Sequence, residues 1–210
     1  MEDFTELTQR VREVFDALNA ARDAALGQAR TLTRLSALTI RAIHRDDRDT
    51  AKSLLAEGAE VAASLKNLAH TYPELYYTGY TLDALKEYVE ANVTCAIIEN
   101  KPLPAPDALG VEVSTYLNGL AEVTGELRRR TLDILREGYS SEAERLLGWM
   151  DEIYNLLVTV DYPDALTNGL RRQTDLARGI VERTRGDLTI SVREEKLQKA
   201  LEQSLRAKDV

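Results

Sequence analysis

Two pairs of carboxylates are the residues in this sequence best suited to chemistry. Glu87 and Glu90, within "ALKEYVEANVTCAII" (84–98), stand three residues apart, and Glu122 and Glu126, within "AEVTGELRRR" (121–130), stand four apart. On a helix either spacing puts both side chains on one face. Carboxylates gathered in one place repel unless a cation neutralises them or protons stay bound. A site offering only oxygen suits a hard ion, Mg²⁺ or Mn²⁺. The competing reading is an ordinary solvated face, since Glu57 and Glu60 share the first pair's spacing in a stretch that looks merely polar. The surroundings differ, however. Beyond Glu90 the acids' own side continues as Ala91, Thr94 and Ile98, and the second pair shares its face with Thr115, Arg129 and Asp133.

Other chemistries are poorly supplied. A di-iron bundle needs Glu-x-x-His repeats, but Arg41 and Asn67 stand three residues before His44 and His70, the two histidines. Two histidines and one cysteine do not furnish a zinc site. No Gly-rich phosphate loop and no Ser/His/Asp or Cys/His arrangement is present. Arginine is better represented. Arg30, Arg34, Arg41, Arg45 and Arg48 fall on one helical face if the first helix extends that far, and the planar guanidinium fork suits phosphate. Arg171, Arg178 and Arg185 recur every seven residues, where a salt-bridged solvated face is the favoured reading. Tyr76, Tyr77 and Tyr80 precede the first acid pair; core packing is their expected role and base stacking the alternative.

The elements that must position these groups are helices. Apolar residues recur at helical spacing nearly throughout, strand signals are almost absent, and 11 Gly and 5 Pro in 210 residues leave few turns. The first helix is expected from about Asp3 to about His44, with Leu7, Val11, Val14, Phe15, Leu18, Ala21 and Ala25 as its apolar face. Asp49 or Thr50 caps a second helix ending near His70. A third follows "TYPEL" and runs to about Asn100. "KPLPAPDALG" (101–110), with three prolines, is a loop. A fourth helix covers about Val113 to Arg136, closed by Gly138, and Ser140 or Ser141 caps a fifth that runs to about Val160. "DYPDA" starts a sixth, through about Arg185, and "GDLTIS" separates a last helix from about Val192 to Lys208. The fold class is all-α: a single-domain bundle, residues 1–210, of about seven antiparallel helices.

Composition bounds the rest. The net charge of −8 argues against indiscriminate nucleic-acid binding without excluding a local basic surface. A lone cysteine, Cys95, permits no intrachain disulfide, and the acidic opening "MEDFTELTQR" carries no apolar signal segment. A cytoplasmic location with no membrane span is therefore expected.

"YPELYYTGYTLDALKEYVEA", "YLNGLAEVTGELRRR" and "LRRQTDLARGIVERTRGDLTISVREEKLQKALE" together resemble the translin/Trax family, in its archaeal Trax-like branch. The resemblance covers most of the chain and implies a seven-helix bundle that assembles into closed octameric shells with single-stranded RNA or DNA held inside. Trax, as opposed to translin, is the catalytic member, a Mg²⁺-dependent endoribonuclease. Glu87, Glu90 and Glu126 match its motif acids, while Glu122 stands where Trax carries Asp. On that basis Glu87, Glu90, Glu122 and Glu126 are expected as catalytic and metal-binding residues, and Mg²⁺ or Mn²⁺ as cofactor. Arg30, Arg34, Arg41, Arg45 and Arg129 are expected to contact nucleic acid. The alternative is a non-catalytic single-stranded RNA- or DNA-binding protein of the translin type.

Overall fold

The computed structural model describes residues 4–206, and every regular element among them is helical. The six long helices are α1 (Phe4–His44), α2 (Arg48–Thr71), α4 (Gly79–Ile98), α6 (Val113–Leu135), α7 (Ser141–Val158) and α9 (Leu170–Arg206). Three single-turn helices lie between them: α3 (Pro73–Tyr76), α5 (Pro106–Leu109) and α8 (Asp164–Thr167). The expected outer ends, Asp3 and Lys208, lie outside the described residues. No described helix is long and apolar enough to cross a membrane.

The chain forms two compact units. One comprises the chain up to Asn92 together with Pro104–Tyr116; the other comprises Val93–Leu103 and the chain from Leu117 on. In the first unit α1 packs along α2, burying Ala25, Ala29, Leu32, Leu35 and Ile43 of α1 with Ala51, Ala62 and Leu65 of α2. The face of α1 continues beyond this core. Phe4, Leu7, Val11, Val14 and Phe15 have the expected helical spacing but are exposed, because nothing in the described chain covers these first turns. In the second unit α7 and α9 pack together, burying Leu146, Met150 and Leu157 with Leu170, Ala177, Val181 and Leu188.

Several boundaries differ from expectation, each for a local reason. The cap of α2 is Asp47, whose carboxylate accepts from the Thr50 amide at 3.2 Å, rather than Asp49 or Thr50. The third helix is interrupted. The Leu75 carbonyl accepts from the hydroxyls of both Thr78 and Thr81, at 2.7 and 3.0 Å, which stops α3 after one turn and seats the start of α4. The proline loop contains α5, closed by Gly110 in the left-handed conformation at φ 67°.

The largest difference is at "GDLTIS", which does not break the chain: the sixth and last expected helices are one, α9, of 37 residues. One interior glycine disfavours a helix by only about 1 kcal/mol. Here the flanking Thr184 and Leu188 are buried, Arg128 donates to the Thr184 hydroxyl at 3.0 Å, and Arg128 also pairs with Asp187 at 2.8 Å.

Candidate functional site

Glu87 and Glu90 lie on a helix with almost no free surface. From Ala84 to Ile98 no residue of α4 is exposed; Lys86, Glu87, Glu90 and Asn92 are half-buried and the rest are buried. A helix apolar this far round is covered on several sides, and the two acids share a polar strip with Lys86. That environment is dry nearby. Tyr88 and Cys95 are 5% and 2% exposed. Burial raises the Tyr88 hydroxyl above its usual range, and burial, reinforced by Glu99, pushes the Cys95 thiol up to about 12.

On α6, Glu122 is the one residue between Thr115 and Thr124 that is not buried. Its Oε1 accepts from Gln173 Nε2 at 3.5 Å. Glu126 is likewise half-buried, with Arg129 at 3.7 Å from its Oε2. Both pairs are thus half-buried, α4 having no exposed residue from Ala84 to Ile98 while α6 exposes Arg129 and Asp133 beyond its acids, and the two pairs sit in different compact units.

The donor chemistry suits a hard cation. Each pair presents only carboxylate oxygens, and Mg²⁺ is commonly held by one or two carboxylates, with water and substrate phosphate completing its shell. Among the described residues no group of three or more His, Cys, Asp or Glu side chains is assembled to hold a metal by itself. Either pair therefore fits an open, hydrated cation site rather than a closed cage.

The arginines divide. Arg30, Arg34 and Arg41 are exposed on α1 without an ion-pair partner among the described residues. The stripe ends there, because α1 stops at His44: Arg45 lies in the turn that follows, beside Asp46 at φ 58°, and Arg48 belongs to α2. Arg178 and Arg185 are bound in ion pairs to Glu182 and Asp151, as a salt-bridged solvated face requires. Tyr76 is a core residue, 1% exposed, its ring edge-on to Tyr77 at 5.0 Å. Its hydroxyl is pushed up to about 12, first by burial and then by Glu112.

Sequence reasoning put Thr94 and Thr115 on the acidic faces but gave them no role. Both are buried, and their hydroxyls have no hydrogen-bond partner among the described residues.

No protein-family profile matches the chain. It is 36% identical over 185 residues, 87% of this chain and 82% of the relative, to an uncharacterized protein of Methanocaldococcus jannaschii, MJ0175. The crystal structure of AfC3PO superposes with a TM-score of 0.82 at 34% identity, covering 89% of this chain and 97% of that one. A structure of AfC3PO in complex with duplex RNA matches equally well. Apo-NeC3PO, at 22% identity, gives a TM-score of 0.80 over 88% of this chain and 96% of that one, a likeness of fold alone. The class is therefore the all-helical translin-like fold. The chain belongs to the translin/Trax family, in its archaeal Trax-like branch.

Proposed function

We propose that the protein is a Mg²⁺-dependent endoribonuclease that cleaves single-stranded RNA inside a closed homo-oligomeric shell, an octamer. The observation that carries this reading is the setting of Glu87, Glu90, Glu122 and Glu126: half-buried acids with buried residues of their own helices on either side. The AfC3PO complex, from a relative 34% identical, supports RNA as the ligand. Acids placed in the path of a phosphate backbone oppose binding unless a cation stands between them.

Glu87, Glu90, Glu122 and Glu126 would hold Mg²⁺ or Mn²⁺. A cation bound there supplies electrostatic stabilisation of the charge that develops on phosphorus-bound oxygens. A carboxylate not fully engaged in holding it accepts the proton of the attacking water. Arg30, Arg34 and Arg41, exposed and unpaired among the described residues, bind and orient the phosphate backbone. Arg45 and Arg129 contribute positive charge nearby in sequence, Arg129 while within reach of Glu126. The bare apolar turns of α1, from Phe4 to Phe15, support assembly, because a contiguous exposed apolar face marks an interaction surface.

The test is cleavage of single-stranded and duplex RNA by the full chain, in Mg²⁺ and in excess chelator, with mass measured by light scattering after size exclusion. Mg²⁺-dependent cleavage of the single strand by a particle of eight chains is expected. Retained RNA binding with no cleavage would make the protein a non-catalytic single-stranded RNA- or DNA-binding member of the translin type. A monomer at physiological salt would remove the enclosed shell.

A further inference from the structure

Lysines ordinarily keep their ammonium in water, and Lys101 and Lys199 do so with 59% and 63% of the side chain exposed. Lys86 of α4 does not. Its side chain is 19% exposed, and it is the one basic residue on that helix. Leu85, Tyr88 and Val89 around it are buried. Asp83, one turn before it, is 75% exposed and lies 3.7 Å from the Lys86 Nζ, too far for a hydrogen bond. A pair of that kind stabilises little, so it does not by itself account for a lysine drawn out of water.

Helical geometry places the other acids around this amine. At about 100° and about 1.5 Å per residue, Glu90 falls about 40° from Lys86 and about 6 Å along the axis. Glu87 follows Lys86 directly, and Glu90 lies between the two in angle. Asp83, Lys86, Glu87 and Glu90 thus share one arc of α4, and all four belong to the same compact unit. Residues four apart are neighbours on a helix surface, so the Lys86 stem reaches the space over the acid pair.

We propose that Lys86 is a catalytic residue whose ammonium contacts the scissile phosphate of bound RNA, beside a cation held by Glu87 and Glu90. This rests on the carboxylate reading given under Proposed function. Substrate phosphate commonly completes the shell of a cation held by one or two carboxylates, and here it would arrive within reach of the same amine. In the cleavage step the oxygen of water bonds to phosphorus, and the bond from phosphorus to the leaving ribose oxygen breaks. The water's proton goes to a carboxylate, and the leaving oxygen takes one from solvent. Negative charge grows meanwhile on the non-bridging oxygens, where an ammonium held in a partly desolvated setting acts more strongly than in bulk water. Lysine meets phosphate as a point charge, so it needs no bidentate geometry.

The experiment uses the assembled full-length protein carrying Lys86→Met, which keeps the length of the stem and removes the charge. Three quantities are read: single-stranded RNA cleavage at saturating Mg²⁺, Mn²⁺ binding by the EPR signal of free Mn²⁺, and RNA affinity against salt in Ca²⁺. Cleavage should fall by ~10²-fold, the scale of one lost electrostatic partner. The log–log salt slope should lessen by ~0.7, one phosphate contact on a single strand. Mn²⁺ should bind at least as tightly as in the wild type, because positive charge has left the strip. Lys86→Arg should recover the salt slope and part of the rate, and Lys199→Met should change none of the three. Should Lys86→Met fail to fold, Lys86→Gln reports the same quantities. Wild-type cleavage and slope in Lys86→Met, while Glu90→Ala is slow, would overturn the lysine assignment and leave the carboxylate reading standing. Weaker Mn²⁺ binding by Lys86→Met would overturn it too, since the lysine would then act only by shaping the acids. Equal cleavage by wild type and Glu90→Ala would overturn both.

Discussion

Glu57 and Glu60 on α2 and Glu87 and Glu90 on α4 have the same spacing and nearly opposite surroundings. The α2 pair is exposed, on the side away from Ala51, Gly58, Ala62 and Leu65, which are buried. The α4 pair is half-buried on a helix with no exposed residue from Ala84 to Ile98. Water solvates the first pair at little cost. The second is partly withdrawn from water, which strengthens both the repulsion between its charges and its attraction for a cation. Spacing establishes only that two acids share a face; what covers the rest of the helix decides whether that face can do chemistry.

The largest expected contrast between the two helices is in solvent access. Beyond Glu90, the Cys95 thiol is 2% exposed and holds its proton to about 12, against an ordinary 9.0. At pH 8 a thiol-disulfide reagent should react with native Cys95 ~10³-fold more slowly than with a free cysteine, since only the thiolate attacks. Glu57→Cys in a Cys95→Ser background should react at the free rate. Rapid native labelling of Cys95 would show that α4 is not sealed. The same shift has a pH signature. Between 9.0 and about 12 the unfolded chain has released a proton that the folded chain keeps, so stability to urea should fall as pH rises through that window, and less steeply in Cys95→Ala.

A smaller effect separates free from paired cations. Replacing Arg30 and Arg34 together with Ala should reduce the log–log salt slope of RNA binding by ~1.4, at ~0.7 per contact on a single strand. Replacing the ion-paired Arg178 and Arg185 should leave it unchanged. Equal slopes in all three proteins would return the α1 arginines to the status of solvated surface.

The smallest effect concerns the long scaffold helix. Gly186 of α9 has open space around the position of a Cβ, so Gly186→Ala should stabilise the protein by ~0.5–1 kcal/mol in urea unfolding. Gly138, at φ 114° after α6, should be destabilised by the same change. A loss of stability in Gly186→Ala would indicate that the sixth and last helices are separate after all.

Much of this was legible in the residues. Helical period fixed the class, Gly138 and Ser140 marked the α6–α7 turn correctly, and the two acid pairs fell on the strips that the fold keeps half-covered. The errors came where a tertiary contact overrode a local signal. "GDLTIS" looks like a break, but Arg128 from another helix anchors Thr184 and Asp187 on either side of Gly186. The arginine stripe depended on α1 continuing past His44, which the left-handed Asp46 prevents. Burial was the least accessible property. The apolar turns from Phe4 to Phe15 have the same period as those from Ala25 to Ile43, and no pattern in a single chain distinguishes a face covered by its own core from one left bare.

The most direct measurement is the rate of single-stranded RNA cleavage in Mg²⁺ by Glu90→Ala, Glu126→Ala and Glu57→Ala, each purified beside the wild type and confirmed to assemble. Loss of one electrostatic partner of the transition state typically lowers a rate by ~10²-fold or more. Glu90→Ala and Glu126→Ala should show that loss while still binding RNA, and Glu57→Ala should cleave as the wild type does. Wild-type rates in Glu90→Ala and Glu126→Ala would contradict the assignment of activity to the covered carboxylates.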